Sequence, residues 1–106
     1  MKKHKYLAEN IYKGLENLNN GFDADIIYYF SESDFEIVIN RIEDLGLGIF
    51  GIEPWINGNY FDVKVCEDYG LKSTDPNWYR MAFEEFKATG KNLLYAASYD
   101  LKHHSD

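Results

Sequence analysis

The pair Asn57-Gly58 constrains this chain more than any other feature. Both residue types tolerate the positive φ that a type I′ turn demands, and that turn matches the twist of the strands it joins. A strand-like run lies on each side, residues 47–56 before the pair and 59–67 after it. A β-hairpin is expected here, and it cannot stand alone, because an isolated hairpin is marginal in water without more strands or a helix against it. In the second run Phe61, Val63 and Val65 alternate with Asp62, Lys64 and Cys66. That spacing predicts one buried face and one polar face. Pro54 in the first run has no donor for a ladder, so that strand is expected at a sheet edge.

The layers to pack against the hairpin are visible on both sides of it. Leu7, Ile11, Leu15 and Leu18 form one apolar stripe, predicting a helix over residues 5–18 that stops at Asn19-Asn20-Gly21. Gly14 weakens that helix by about 1 kcal/mol relative to Ala. Ser33-Asp34-Phe35-Glu36 has the form of a capping box. The helix it opens should run to Leu45 and end at Gly46, burying Phe35, Val38, Ile39, Ile42 and Leu45. Asp75 caps a last helix with Pro76 at its first position, where a missing N–H costs nothing. Trp78, Tyr79, Ala82, Phe83 and Phe86 make its buried stripe, and it should run to Ala88 before Gly90.

Two more runs read as strands. Ile26-Ile27-Tyr28-Tyr29-Phe30 is continuously apolar, the pattern of a central strand buried on both faces, the alternative being an extra helical turn before the next helix. Residues 93–101 form the last. The order α-β-α-β-β-α-β predicts an α+β fold, a ferredoxin-like βαββαβ antiparallel sheet with an extra N-terminal helix and strand order 4-1-3-2. The extra helix would cover part of the open sheet face, which carries Asp62 and Lys64. One domain spans residues 1–106, with short disordered ends over about 1–3 and 103–106.

Charge narrows the function. Eleven Lys and Arg against 18 Asp and Glu leave a net charge of −7. Nucleic acids and anionic membranes select basic surfaces, so neither is an expected partner. The single cysteine, Cys66, excludes an intrachain disulfide and fits a reducing, cytoplasmic setting. The basic start Met1-Lys2-Lys3-His4-Lys5 leads into Glu9 and Asn10 without the apolar stretch of a signal peptide. No apolar run approaches the roughly 20 residues that span a bilayer.

Catalytic signals are weak. His4, His103 and His104 lie in the expected tails. A nucleophilic Cys needs a base or positive surroundings, and Cys66 is followed by Glu67 and Asp68. The carboxylate pairs, such as Glu84-Glu85, diverge on their elements, and Asp23-x-Asp25 lacks the rest of a calcium loop. Gly46, Gly48 and Gly51 do not make a phosphate-binding loop. No catalytic residue, metal or cofactor is expected. What stands out is acid beside aromatic, the composition of a protein-binding hot spot. Glu53, Trp55, Asp62, Glu67, Asp68 and Tyr69, on or beside the hairpin, are the expected partner-binding residues.

Three pieces carry a family resemblance. They are Tyr29-Phe30-Ser31-Glu32-Ser33-Asp34-Phe35, then Gly51-Ile52-Glu53-Pro54-Trp55, then Asp75-Pro76-Asn77-Trp78-Tyr79 with Phe83-Glu84-Glu85-Phe86. Together, over residues 29–99, the chain resembles small bacterial immunity proteins of contact-dependent growth inhibition and related polymorphic toxin systems. The resemblance implies a non-enzymatic, cytoplasmic antitoxin that binds a cognate toxin domain and neutralises it. Many such toxins are nucleases with a basic cleft, which an acidic inhibitor complements. Two other classes fit the residues: a ligand-binding or regulatory homodimer joined through its open sheet face, and an enzyme using carboxylates with a divalent metal.

Overall fold

The structure, a computed structural model, describes residues 2–101. The Asn-Gly turn forms as its residue types require, with Asn57 at φ 52° and Gly58 at φ 76°. It joins β1 (Gly48–Ile56) to β2 (Asn59–Tyr60). The returning chain then breaks and resumes as β3 (Lys64–Val65), opposite Ile52 and Gly51. β2 and β3 therefore share one edge of β1. The other edge carries β4 (Leu94–Asp100), antiparallel to β1 from Gly48 opposite Asp100 to Trp55 opposite Leu94. The result is an α+β chain with a four-stranded antiparallel sheet.

This sheet is not ordered 4-1-3-2, and two expectations change with it. The proline-bearing strand β1 is central, paired on both edges. Pro54 is tolerated because it lies opposite Tyr95, whose own N–H and C=O turn away to Phe30 at 2.8 and 2.9 Å. Pro54 thus sits at a non-hydrogen-bonded position of the β1–β4 ladder, its backbone facing the other edge. There its carbonyl accepts from the Phe61 N–H at 3.1 Å, and its missing donor falls where the return strand is interrupted. Residues 26–30, expected as the central strand, contribute a single bridge from Phe30 to Tyr95. The backbone of Tyr29 is already claimed locally: its N–H donates to Asn17 Oδ1 at 3.0 Å and its C=O accepts from the Leu18 N–H at 2.8 Å. The side chains of the run scatter accordingly. Ile26 is exposed, Tyr28 stacks on Tyr12 with centroids 4.8 Å apart, and Phe30 enters the core.

The return strand also faces the opposite way to its pattern. From Trp55↔Tyr60 to Ile52↔Lys64, β1 advances three residues and the return strand four. One extra residue is a bulge, and a one-residue slip sends every later side chain to the other face. Val63 and Val65 consequently turn to the open face instead of the core. Cys66 is buried, and Lys64 lays its stem toward Phe86, with Nζ 5.1 Å from the ring centroid.

Two helices cover the inner face. α2 (Glu32–Asp44) begins two residues earlier than the Ser33 box suggested. Ser31, in extended conformation, is the N-cap, and its Oγ accepts from the Asp34 N–H at 3.2 Å. Gly46 at φ 68° ends it as expected, and Leu45 is exposed rather than part of the stripe. α3 (Pro76–Lys87) is capped by Asp75 Oδ1, which accepts from the Asn77 N–H at 2.9 Å, and buries all five expected residues. Tyr95 is the centre of the core, stacked on Phe35 at 5.2 Å and met edge-on by Phe83 and Phe86. Trp78 donates Nε1–H to the Ile49 carbonyl at 3.0 Å. Burying each such side chain contributes roughly 1.5–3 kcal/mol.

The N-terminal helix is shorter than its stripe. α1 (Lys2–Tyr6) continues as a π-helical turn over Leu7–Ile11 and stops before Gly14, whose φ of 82° no helix continues through. It packs beside α2, not on the open sheet face. Arg41 of α2 donates Nη1 to the carbonyls of Ile11 and Lys13, both at 2.8 Å, satisfying groups the ended helix leaves bare. Of the expected disordered ends, Lys2 and Lys3 belong to α1, while Met1 and residues 103–106, with His103 and His104, lie outside the described residues.

Candidate functional site

The six predicted residues divide between two places. Glu53 and Trp55 stand on the open face of β1, two residues apart and therefore on one side of the strand. The Trp55 indole donates Nε1–H to Glu53 Oε2 at 2.7 Å. Trp55 is half-buried because residues 17–29 fold against it: Phe22 and Tyr29 lie 5.5 and 5.7 Å away and 4.9 Å from each other. This segment is a compact loop whose ends meet, built around one side chain. Asn19 Nδ2 donates to the carbonyls of Ile27, Ala24 and Asp23 at 2.8, 2.9 and 3.3 Å. Its Oδ1 accepts from the N–H groups of Gly21 and Asp23 at 3.1 and 3.3 Å. Tyr29 is fully buried and donates its hydroxyl to Asp23 Oδ2 at 2.6 Å. Burial first, and the Asp23 carboxylate second, push its phenol well above the ordinary range.

Between this loop, β1 and the flipped return strand lies a groove of about 330 Å³ on the open sheet face. Ile27, Val63, Val65 and Ala96 make it apolar, and Glu53 and Ser98 are the polar side chains in its wall. Gly51 is on its floor, where a Cβ would come within 3.2 Å of Val65 Cγ1.

The second place is a shoulder where β3 and its following 3₁₀ turn (Cys66–Tyr69) meet α3. Tyr69 packs against Trp78 at 5.6 Å and donates its hydroxyl to Glu85 Oε1. Lys64 Nζ is 2.9 Å from the same oxygen. Burial raises the Tyr69 phenol above its ordinary range, and the charges of Glu85, Asp68 and Asp62 add to the effect. Of the three carboxylates, Glu85 is bonded to the tyrosine, and Asp68 and Asp62 act on it through their charge. The hydrogen bond from Tyr69, then that from Lys64, holds the Glu85 carboxyl below the usual carboxylate range. Asp68 Oδ2 also accepts from the Val65 N–H at 3.2 Å, fixing the turn. Glu67 is exposed and accepts from the Cys66 thiol at 3.5 Å. Burial first, then Glu67, pushes that thiol up, which leaves it a poor nucleophile.

Sequence reasoning missed Glu85, Asn19 and the Asp23–Tyr29 pair. A signal existed for the first. Glu85 follows Trp78 by seven residues, so the two share a helical face, and Tyr69 touches both. Glu84 does diverge, pairing with Lys87 at 3.1 Å. Among the described residues, no group of three or more His, Cys, Asp and Glu is placed to hold a metal ion, and no helix is long and apolar enough to cross a membrane. The chain matches no protein-family model, no curated protein and no solved structure.

Proposed function

We propose that the chain is an immunity-type antitoxin that binds a cognate toxin domain, a basic nuclease, in the cytoplasm and neutralises it by direct contact. The observation that carries this reading is the shoulder, where the half-buried Tyr69 is bonded to Glu85, itself paired with Lys64, and lies within the field of Asp68 and Asp62. An aromatic anchor with carboxylates near it suits a cationic protein surface. With a net charge of −7 behind it, the shoulder would steer such a partner inward and speed encounter.

The test is titration calorimetry with the product of the reading frame immediately upstream, followed by association kinetics at two ionic strengths. A one-to-one complex is expected. The combined change Asp62→Asn, Glu67→Gln and Asp68→Asn should slow association at least several-fold and flatten its salt dependence. No binding would overturn the reading, and unchanged kinetics would move the contact away from the shoulder. A homodimer joined through the open sheet face is the second reading. It is favoured by the exposure of Phe50 and Val63 there, and sedimentation of the chain by itself tests it.

A further inference from the structure

We infer that the groove on the open sheet face is a receptor for one arginine side chain of the protein partner, seated with its stem on the apolar wall and its guanidinium on Glu53. This rests on the reading that the partner is a basic protein. Glu53 is half-buried in the groove wall. Trp55 fixes its Oε2 by a 2.7 Å bond, while Oε1 meets no donor among the described residues. The carboxylate is thus aimed before any partner arrives, with one oxygen already committed and one open.

The rest of the groove is shaped for a stem rather than for a second charge. Val63 and Val65 face it only because the bulge flipped them, and Ile27 closes the opposite side. The absence of a side chain at Gly51 keeps the floor low. A neutral occupant would strip water from Glu53 and return nothing, and leaving a buried carboxylate unpaired is costly. The groove therefore discriminates by charge as well as by shape. A guanidinium is more weakly hydrated than an ammonium and therefore loses less on entering an apolar groove, which favours arginine over lysine.

The probes are N-acetyl-arginine amide and its neutral isostere N-acetyl-citrulline amide, titrated into the full chain and followed by amide and indole NMR shifts. The arginine probe should move Gly51, Ala96, Ser98 and the Trp55 indole, with at least tenfold weaker binding of the citrulline probe. Glu53→Gln preserves the bond from Trp55 and should reduce the arginine probe to the citrulline level. Ala96→Leu, which fills the groove, should abolish both. Equal binding of the two probes would overturn the inference, as would shifts confined to Asp62, Asp68 and Tyr69. The titration contains no toxin, so failure of the upstream product to bind would remove the antitoxin reading and leave this result intact.

Discussion

Replacing Asn19 by alanine should loosen one wall of the groove without disturbing the core. The side chain makes five bonds to the backbone of its own loop, three at 3.1 Å or shorter. Each good bond contributes about 1 kcal/mol net, and water can replace some of them in a loop that is half exposed. The expected loss is about 2 kcal/mol, which for a domain of this size lowers Tm by about 8 °C. Asn19→Asp should recover little of it, because it restores the acceptor and not the three donated bonds. Calorimetry measures the global cost and hydrogen exchange localises it. Amides over residues 18–29 should exchange faster while those of β1 and β4 hold. Trp55 emission should shift to the red as Phe22 and Tyr29 leave its faces. A variant within 0.5 kcal/mol of the parent by calorimetry, with unchanged exchange in the loop, would refute the argument that one amide side chain organises it.

Two further outcomes are expected. Gly48→Ala places a Cβ 2.9 Å from the backbone of Ser73, which cannot yield because Ile49 donates to the Ser73 carbonyl at 3.0 Å, so denaturant titration should show a loss of about 1–3 kcal/mol. Gly51→Ala has a valine methyl at 3.2 Å as its tightest contact, with Lys64 O and Ser98 Oγ at 3.5 Å, and should cost less in the same titration. At high pH the phenols of Tyr12 and Tyr79, raised to about 12 chiefly by burial, favour the folded state below their unfolded value near 10. That contribution is lost as pH rises from 10 through 12, so the phenolate absorbance of these two residues, assigned with Tyr→Phe variants, should appear together with loss of near-ultraviolet dichroism. Ionisation of both near pH 10 with the fold intact would contradict it.

What the sequence made legible is what neighbours in the chain decide. Asp75-Pro76 starts a helix because cap and ring act within one turn, and Asn57-Gly58 turns because both residues accept positive φ. The misplaced elements depend on distant partners. Pro54 reads as an edge residue until Tyr95 is known to face away from it. The apolar run 26–30 reads as a strand until Asn17 and Leu18 are seen to hold Tyr29. The alternation of Phe61, Val63 and Val65 is genuine, and a single extra residue reverses its meaning. The predicted site shared this fate. Its acids and aromatics were visible as composition, but their division between an apolar groove and an acidic shoulder follows from that same bulge.

The position of β1 has a consequence for how the molecule assembles. Its long ladder is with β4, so the central strand must wait for a segment made 39 to 52 residues later, Leu94 opposite Trp55 and Asp100 opposite Gly48. The hairpin with β2 closes in microseconds but is marginal by itself. Until the last strand arrives, one edge of β1 presents unpaired backbone flanked by Ile49, Ile52 and Ile56. Helix formation over α2 and α3 is local and fast, whereas sheet closure is a non-local, rate-setting event. During synthesis the half-built chain therefore carries an open template for strand pairing with its neighbours, and β4 is the element that shuts it.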